Sequence, residues 1–183
     1  MITNLQRTDF AERRLHELLK LNNGNLLGAN ELDRQQLIQE FFFHLVGTIE
    51  ELAQLVNDKR GLNLPSESVS IRSVAEHLPP NDQLVPKLQA LYSNTRGQPL
   101  PPDPYSDDGY MFRTYNYRNQ VAHRGRNPWN FNIGKGAVEP TSITLQLDPR
   151  GTNRVGSIKS VQDDLEYMFR LVKKRCSDAL SVL

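Results

Sequence analysis

The stretch 31-ELDRQQLIQEFFFHLVGTIEELAQLVNDK-59 has the clearest helical hydrophobic pattern in the chain and sets the expected fold. Its apolar residues recur at alternating spacings of four and three, which places them along one side of a helix. The series is Ile38, Phe42, Leu45, Ile49, Leu52 and Val56. Flanking apolar residues, among them Phe43 and Val46, widen this face, so several neighbours are expected to pack on it. At 1.5 Å per residue the helix would be about 44 Å long, which sets the dimensions of a bundle.

Similar apolar patterns predict further helices on both sides of this stretch. They are expected from about Asn4 to Leu21, from Ile71 to Leu78 with Ser70 as N-cap, from near Asp82 through Tyr92, from Ser106 to near Gly125, and from near Ser160 to the C-terminus. Residues 129–133 and 143–147 instead alternate apolar and polar side chains, which is typical of a hairpin. The sequence therefore predicts one mainly α domain over residues 1–183. It is a bundle of four to five helices with a small β-hairpin, at about 127–151, inserted before the C-terminal helix.

The composition limits the chemistry that the chain can carry. There are 22 basic and 21 acidic residues, so any attraction to nucleic acid must be local. The lone cysteine, Cys176, excludes an intramolecular disulfide and lies on the apolar stripe of the last helix, so a core role is expected. With no apolar run long enough for a membrane span, the expected location is the cytoplasm.

Metal and nucleotide-cofactor motifs are missing from the sequence. The four histidines, His16, His44, His77 and His123, fall on four different predicted segments without metal-ligand spacing. The glycines of Gly134-Lys135-Gly136 are explained by a turn, because no phosphate-binding loop surrounds them. No cofactor is therefore expected.

The stretch 110-YMFRTYNYRNQVAHRGRNPW-129 combines cations with aromatic rings. Not one Asp or Glu occurs from Gly109 through Val138, and six of the chain's 14 aromatic residues lie there. Aromatic rings among cations suit single-stranded RNA, since bases stack while phosphates pair. The expected RNA contacts are Arg113, Tyr117, Arg124 and Arg126. The alternative is that the tyrosine-rich helix packs its rings into the core.

Three residues of this stretch could cleave a phosphodiester without a metal. Asn119 and His123 are four positions apart and share a helix face, and the long side chain of Arg118 can reach the same side. Histidine exchanges a proton near neutral pH, arginine holds a phosphate, and an amide orients either group. The alternative is a polar helix end, where the helix dipole stabilises a charged His123.

The residues 118-RNQVAH-123 resemble the motif of the HEPN superfamily (higher eukaryotes and prokaryotes nucleotide-binding), in which four to six residues separate an Arg from a His and the residue just after the Arg is often Asn, Asp or His. The resemblance implies an all-α bundle and a metal-independent endoribonuclease whose active site forms across a dimer. It assigns catalytic roles to Arg118, Asn119 and His123. Such proteins are frequent in toxin–antitoxin, abortive-infection and CRISPR-linked systems. The hairpin at about 127–151 is not part of the family pattern.

These observations lead to three expected functions. The first is a HEPN-type ribonuclease that acts as a toxin or defence effector. Its expected partners are RNA, a second copy of the chain, and an antitoxin or other protein, and no membrane is expected. The second is a non-catalytic helical module that binds RNA, a nucleotide or a protein. The third is a structural dimerisation domain, for which the seam from Ile38 to Val56 is the main support.

Overall fold

A computed structural model of the chain describes residues 5–23, 31–92, 99–124, 129–132, 142–148, 150 and 155–183. Side chains are described throughout these ranges except at 22, 23, 31, 32, 122–124, 129–132, 142 and 143. Within them the chain forms six α-helices, one 3-10 turn at Ser66–Ser68 and two strands. In chain order these are α1 (Gln6–Asn23), α2 (Glu31–Arg60), α3 (Ile71–His77), α4 (Leu84–Leu91), α5 (Asp107–Arg124), β1 (Trp129–Asn132), β2 (Ser142–Leu145) and α6 (Val161–Leu180).

The mainly α architecture predicted from the sequence is confirmed. Four helices of 18 to 30 residues form the body of the bundle. The two short helices that the sequence also predicted, α3 and α4, bring the total in the described ranges to six, one more than the four to five expected for the bundle. The predicted helix end near Gly125 and the predicted turn at Gly134-Lys135-Gly136 lie outside the described residues. No helix in the described ranges has both the length and the apolar character that crossing a membrane requires.

Helix α2 is the centre of the bundle and packs against α1, α3, α5 and α6. The predicted seam is confirmed, because every one of its six members is at most 1% exposed. A helix with neighbours on several sides needs an apolar face wider than a simple coiled-coil stripe, as the sequence indicated. Gly61 ends α2 with a positive φ of 60°, a backbone conformation that glycine adopts without strain.

Helix α6 closes the other side of the core. The side chain of Ser160 accepts a hydrogen bond from the backbone amide of Asp163 and caps α6, so the predicted helix start near Ser160 is confirmed. Cys176 is buried on the apolar stripe of α6, and this burial raises the pKa of its thiol to about 12. The thiol therefore stays protonated and packs as a small apolar group, as the sequence predicted.

A tight backbone approach sets the start of α5. The hydroxyl of Ser106 accepts a hydrogen bond from the Gly109 amide at 3.1 Å, which confirms the predicted helix start. A Cβ at Gly109 would lie 2.5 Å from the carbonyl oxygen of Asp103 and 2.6 Å from the carbonyl carbon of Pro104. Only glycine lets the proline-rich segment 99–104, which precedes α5 and is called the linker, pass this close to the helix that carries the Arg-Asn-x-x-x-His motif.

The predicted hairpin is present as a two-stranded antiparallel sheet. Trp129 pairs with Leu145 and Asn132 with Ser142. Gln146, the residue after β2, forms a separate antiparallel bridge with Gly156. The buried hydroxyl of Tyr117 donates a hydrogen bond to the Gln146 carbonyl, so α5 anchors the second strand directly. The motif helix and the hairpin therefore belong to one packed unit.

Candidate functional site

The second half of α5 lies against α2, and this contact positions the motif. The ring of Tyr117 packs at 5.0 Å from the ring of Phe42, which belongs to the α2 seam. Arg118 follows Tyr117 and leaves the core, with its side chain 27% exposed. One residue of the helix thus fixes the register, and the next presents a guanidinium at the surface.

Arg118 and Asn119 are brought together by the structure. An Arg118 Nη1 donates a hydrogen bond to Asn119 Oδ1 at 3.3 Å, while Nη2 lies 3.6 Å from Glu50 Oε1. The Glu50 side chain is more than half exposed, and ion pairs of this kind contribute little to stability. A phosphate group can therefore compete with Glu50 for the guanidinium, whose planar fork suits two phosphate oxygens.

A surface groove of about 280 Å³ opens beside Arg118 between α2 and α5. Its lining residues are Gln39, Glu40, Phe43, Arg118 and Val121. The carboxylate of Glu40 is held at 2.6 Å by Arg14 of α1, which offsets its charge at the groove edge. The groove combines an apolar ring, a guanidinium and an amide, which are groups that a nucleotide can use.

His123 belongs to the last turn of α5. The prediction that Arg118, Asn119 and His123 lie on one helix is therefore confirmed for the backbone. The side chains of His123 and Arg124 lie outside the described residues, and so does Arg126 entirely. The predicted roles of these three residues stay predictions.

Arg113 and Tyr117 do not lie at the surface, although the sequence suggested them as RNA contacts. The Arg113 guanidinium is fully buried and pairs with Asp164 of α6, with Nη2 at 2.6 Å from Oδ2. The Tyr110 hydroxyl donates to the other Asp164 oxygen at 2.9 Å. Tyr117 is also fully buried, and burial raises its pKa to about 12. Neither side chain is placed to contact RNA, because α6 and the hairpin supply their partners inside the protein.

Carboxylates from other helices face the acid-free stretch. Asp164 of α6 neutralises Arg113, and Glu50 of α2 lies close to Arg118. The alternative that the rings of this helix form core is confirmed for Tyr110, Phe112 and Tyr117, each at most 2% exposed. A gap in acidic residues along the chain therefore does not produce an unopposed cluster of cations at positions 113 and 118.

The sequence reasoning missed a surface strip beside the groove, formed by Arg7, Phe10, Arg13, Phe43 and His44. Phe43 was expected on a buried helix face but is 48% exposed, and Phe10 of α1 is 39% exposed. The His44 ring lies between them, with centroids 5.2 Å from Phe10 and 5.4 Å from Phe43. The run Phe41-Phe42-Phe43 was the available signal, since three consecutive helical residues span about 200° and cannot all face one core.

Two guanidinium groups lie over the exposed rings of this cation–aromatic strip. The Arg7 group is 5.1 Å from the centre of the Phe43 ring, and the Arg13 group is 5.8 Å from that of Phe10. Burial, followed by the charges of Arg7 and Arg14, lowers the pKa of His44. The strip therefore carries its positive charge on arginines, and His44 is neutral at pH 7.

The described part of the chain contains no group of three or more His, Cys, Asp or Glu side chains that could hold a metal ion. No protein-family model, curated protein or solved structure matches this chain. The functional argument therefore depends on the site itself.

Proposed function

We propose that this protein is a metal-independent endoribonuclease of the HEPN type, with Arg118, Asn119 and His123 as its catalytic residues. The observation that carries the proposal is the contact between Arg118 and Asn119. The guanidinium is partly exposed at a groove, bonded to the neighbouring amide, on the same helix that carries His123 five residues later. Buried Arg113 on the same helix shows the contrast, because its charge is already used inside the core.

The proposed reaction is a phosphoryl transfer within the RNA strand, from the 5′ oxygen of one nucleotide to the 2′ oxygen of the preceding one. The neutral imidazole of His123 removes the proton from a ribose 2′-hydroxyl, and the 2′ oxygen attacks the adjacent phosphorus. The bond from phosphorus to the 5′ oxygen breaks, and that oxygen takes a proton from an imidazolium. Arg118 stabilises the charge that develops on the phosphoryl oxygens, and Asn119 orients the guanidinium. The products are a 2′,3′-cyclic phosphate and a 5′-hydroxyl.

This reaction needs one imidazole as base and one imidazolium as acid. Each chain supplies a single histidine in the motif, so the HEPN resemblance assigns the second role to His123 of a second copy. We extend the proposal accordingly to a homodimer with the two motifs facing each other. An effector of this kind in a toxin or defence system would be held inactive by an antitoxin or another protein partner.

The test is cleavage of a mixed RNA pool in EDTA by the wild-type protein and by the His123→Ala and Arg118→Ala variants. We expect wild-type cleavage with cyclic phosphate ends, and a loss of about a hundredfold or more in each variant, as is typical for removal of an acid–base or charge-stabilising group. His77→Ala and Arg72→Ala are the matched controls, because both residues are exposed on α3 and Arg72 has its own carboxylate partner, Glu76.

Equal cleavage by the wild type and both motif variants would place the activity elsewhere and defeat the assignment. Absence of cleavage by the wild type, with RNA still bound, would favour a second candidate. That candidate is RNA binding without catalysis, and the half-exposed rings of Phe10 and Phe43 support it.

A further inference from the structure

The cation–aromatic strip on α1 and α2 is continuous with the groove at Arg118. Phe43 belongs to both, since it lines the groove and carries the Arg7 guanidinium over its ring. From Phe43 the strip passes through the His44 ring to Phe10 on α1. A ligand held at Arg118 that extends beyond the groove therefore meets two half-exposed aromatic rings in succession.

The two arginines of the strip differ from most of the arginines whose side chains the structure describes. Arg14, Arg60, Arg72, Arg113, Arg118, Arg150 and Arg175 all lie within 4 Å of a carboxylate. Arg7 and Arg13 form no such ion pair within the described ranges and instead lie over Phe43 and Phe10. One guanidinium nitrogen of Arg7 is buried without a hydrogen-bond acceptor there. The strip thus offers two positive charges that the described part of the protein does not neutralise.

The room for Arg7 comes from Gly47, in the interior of α2. A Cβ at this position would lie 2.5 Å from Arg7 Nη1 and 2.6 Å from its Cδ. Glycine within a helix costs about 1 kcal/mol relative to alanine, and here it lets the Arg7 side chain cross α2 toward Phe43. The position of Arg7 over the Phe43 ring therefore uses the space that Gly47 leaves on α2.

We propose that the strip binds single-stranded RNA that leaves the Arg118 groove, with bases stacked on Phe43 and Phe10 and phosphates contacting Arg7 and Arg13. The inference rests on the proposed action on RNA and adds a binding surface outside the catalytic motif. Alternating aromatic rings and uncompensated cations match the alternating bases and phosphates of a single strand. A duplex would hide its bases from both rings, so the substrate class is unpaired RNA.

The test uses a short, fluorescein-labelled, 2′-O-methyl single strand of mixed sequence. This probe cannot be cleaved, because its 2′ oxygen carries no proton, so binding is measured separately from catalysis. Phe43→Leu and Phe10→Leu keep apolar area but remove the ring, while Phe43→Trp keeps a stacking surface. We expect each leucine variant to weaken binding roughly tenfold and the tryptophan variant to remain within about threefold of wild type.

The arginines are tested by the salt dependence of the same binding. Arg7→Gln and Arg13→Gln should each reduce the slope of log Kd against log salt by about 0.7 between about 50 and about 200 mM NaCl. Arg72→Gln is the matched control, because its guanidinium also lies over a ring, that of Tyr92, but pairs with Glu76. We expect the control to leave both affinity and slope unchanged.

The outcomes separate this inference from the proposed catalysis. If the leucine variants bind RNA more weakly and the wild-type protein does not cleave RNA, the RNA-binding role of the strip is supported and the ribonuclease proposal is defeated. Unchanged RNA affinity in both leucine variants would overturn the strip, even if the wild type cleaves RNA. If those variants instead alter only the sedimentation of the unliganded protein, the rings belong to an interface between copies, and the inference is equally overturned. Circular dichroism checks that every variant is folded.

Discussion

At the scale of single residues, the two arginines of α5 show how burial determines a role. Arg113 and Arg118 are five positions apart on one helix, yet one is fully buried with Asp164 and the other is partly exposed beside a groove. The difference arises from the neighbouring helices, since α6 covers the first and α2 leaves the second accessible. The first arginine stabilises the core, and only the second can meet a ligand.

The buried pair leads to a prediction about stability. Asp164→Ala would leave the Arg113 charge inside the core without its carboxylate, so we expect a loss of about 3–5 kcal/mol in the free energy of unfolding. Urea denaturation measures it. Asp178→Ala, an exposed change on the same helix, should cost less than about 0.5 kcal/mol. The double variant Arg113→Met/Asp164→Leu should recover most of the loss, and equal losses in the single and double variants would contradict the explanation.

His44 leads to a prediction about pH. Burial and the nearby Arg7 and Arg14 lower its pKa in the folded state, against the opposing charge of Glu40. The unfolded chain then binds the proton more readily than the folded one below the ordinary histidine pKa of about 6.5. The contribution of neutral His44 to the free energy of unfolding is therefore complete above the ordinary histidine pKa of about 6.5 and is lost as the pH falls through the folded-state pKa of His44.

Between about pH 7.5 and about pH 5, we expect the free energy of unfolding to fall less for His44→Phe than for the wild-type protein. Phenylalanine keeps a ring between Phe10 and Phe43 and removes only the titration. The exposed His16 on α1 provides the control, and His16→Phe should retain the wild-type decline. Identical declines in wild type and His44→Phe would rule out the proposed linkage.

At the scale of elements, glycine occupies two helical positions, Gly109 and Gly47, for different structural reasons. At Gly109 a side chain would meet the backbone of the linker at Asp103 and Pro104, which cannot move aside easily. At Gly47 it would meet only the flexible side chain of Arg7. The start of α5 is therefore fixed by backbone contact, and the interior of α2 is shaped around one arginine.

The same substitution should consequently act differently at these two positions. We expect Gly109→Ala to lower the free energy of unfolding by roughly 2 kcal/mol, as overpacking does. Gly47→Ala should change it by less than about 1 kcal/mol, since the gain in helix propensity offsets the displaced Arg7. Thermal and urea unfolding of both variants checks this, and a larger loss at Gly47 would contradict the ranking.

At the scale of the whole molecule, the bundle places α5 between its central helix and the hairpin. Helix α2 contacts α5, and Tyr117, whose ring packs on Phe42 of α2, also bonds to Gln146 in the hairpin region. Of the motif residues, Arg118 lines the groove between α2 and α5. A second copy of the chain is the remaining requirement of the proposed reaction.

Dilution tests this requirement. If two motifs form one active site, the cleavage rate per chain should fall as the protein is diluted below its dimer dissociation constant and level off above it. Analytical ultracentrifugation over the same concentrations gives the fraction of dimer. A rate per chain that stays constant while dimers dissociate would show that one chain suffices.

The sequence by itself determined the helical elements and the central position of the helix from 31 to 59. Apolar periodicity and caps such as Ser70, Ser106 and Ser160 are local signals, so they act wherever the chain later packs. The hairpin followed from simple alternation. The contact of Arg118 with Asn119 was also accessible, since neighbouring positions need no tertiary information.

Only the tertiary structure decided which polar and aromatic groups remain accessible. Arg113 was expected at an RNA surface because the acid that neutralises it, Asp164, lies far away in sequence, on α6. Phe43 was expected inside because its own helix is apolar there, but the bundle leaves that edge uncovered. Burial and charge compensation depend on which elements meet, and the spacing of residues along one helix does not say which elements its neighbours will be.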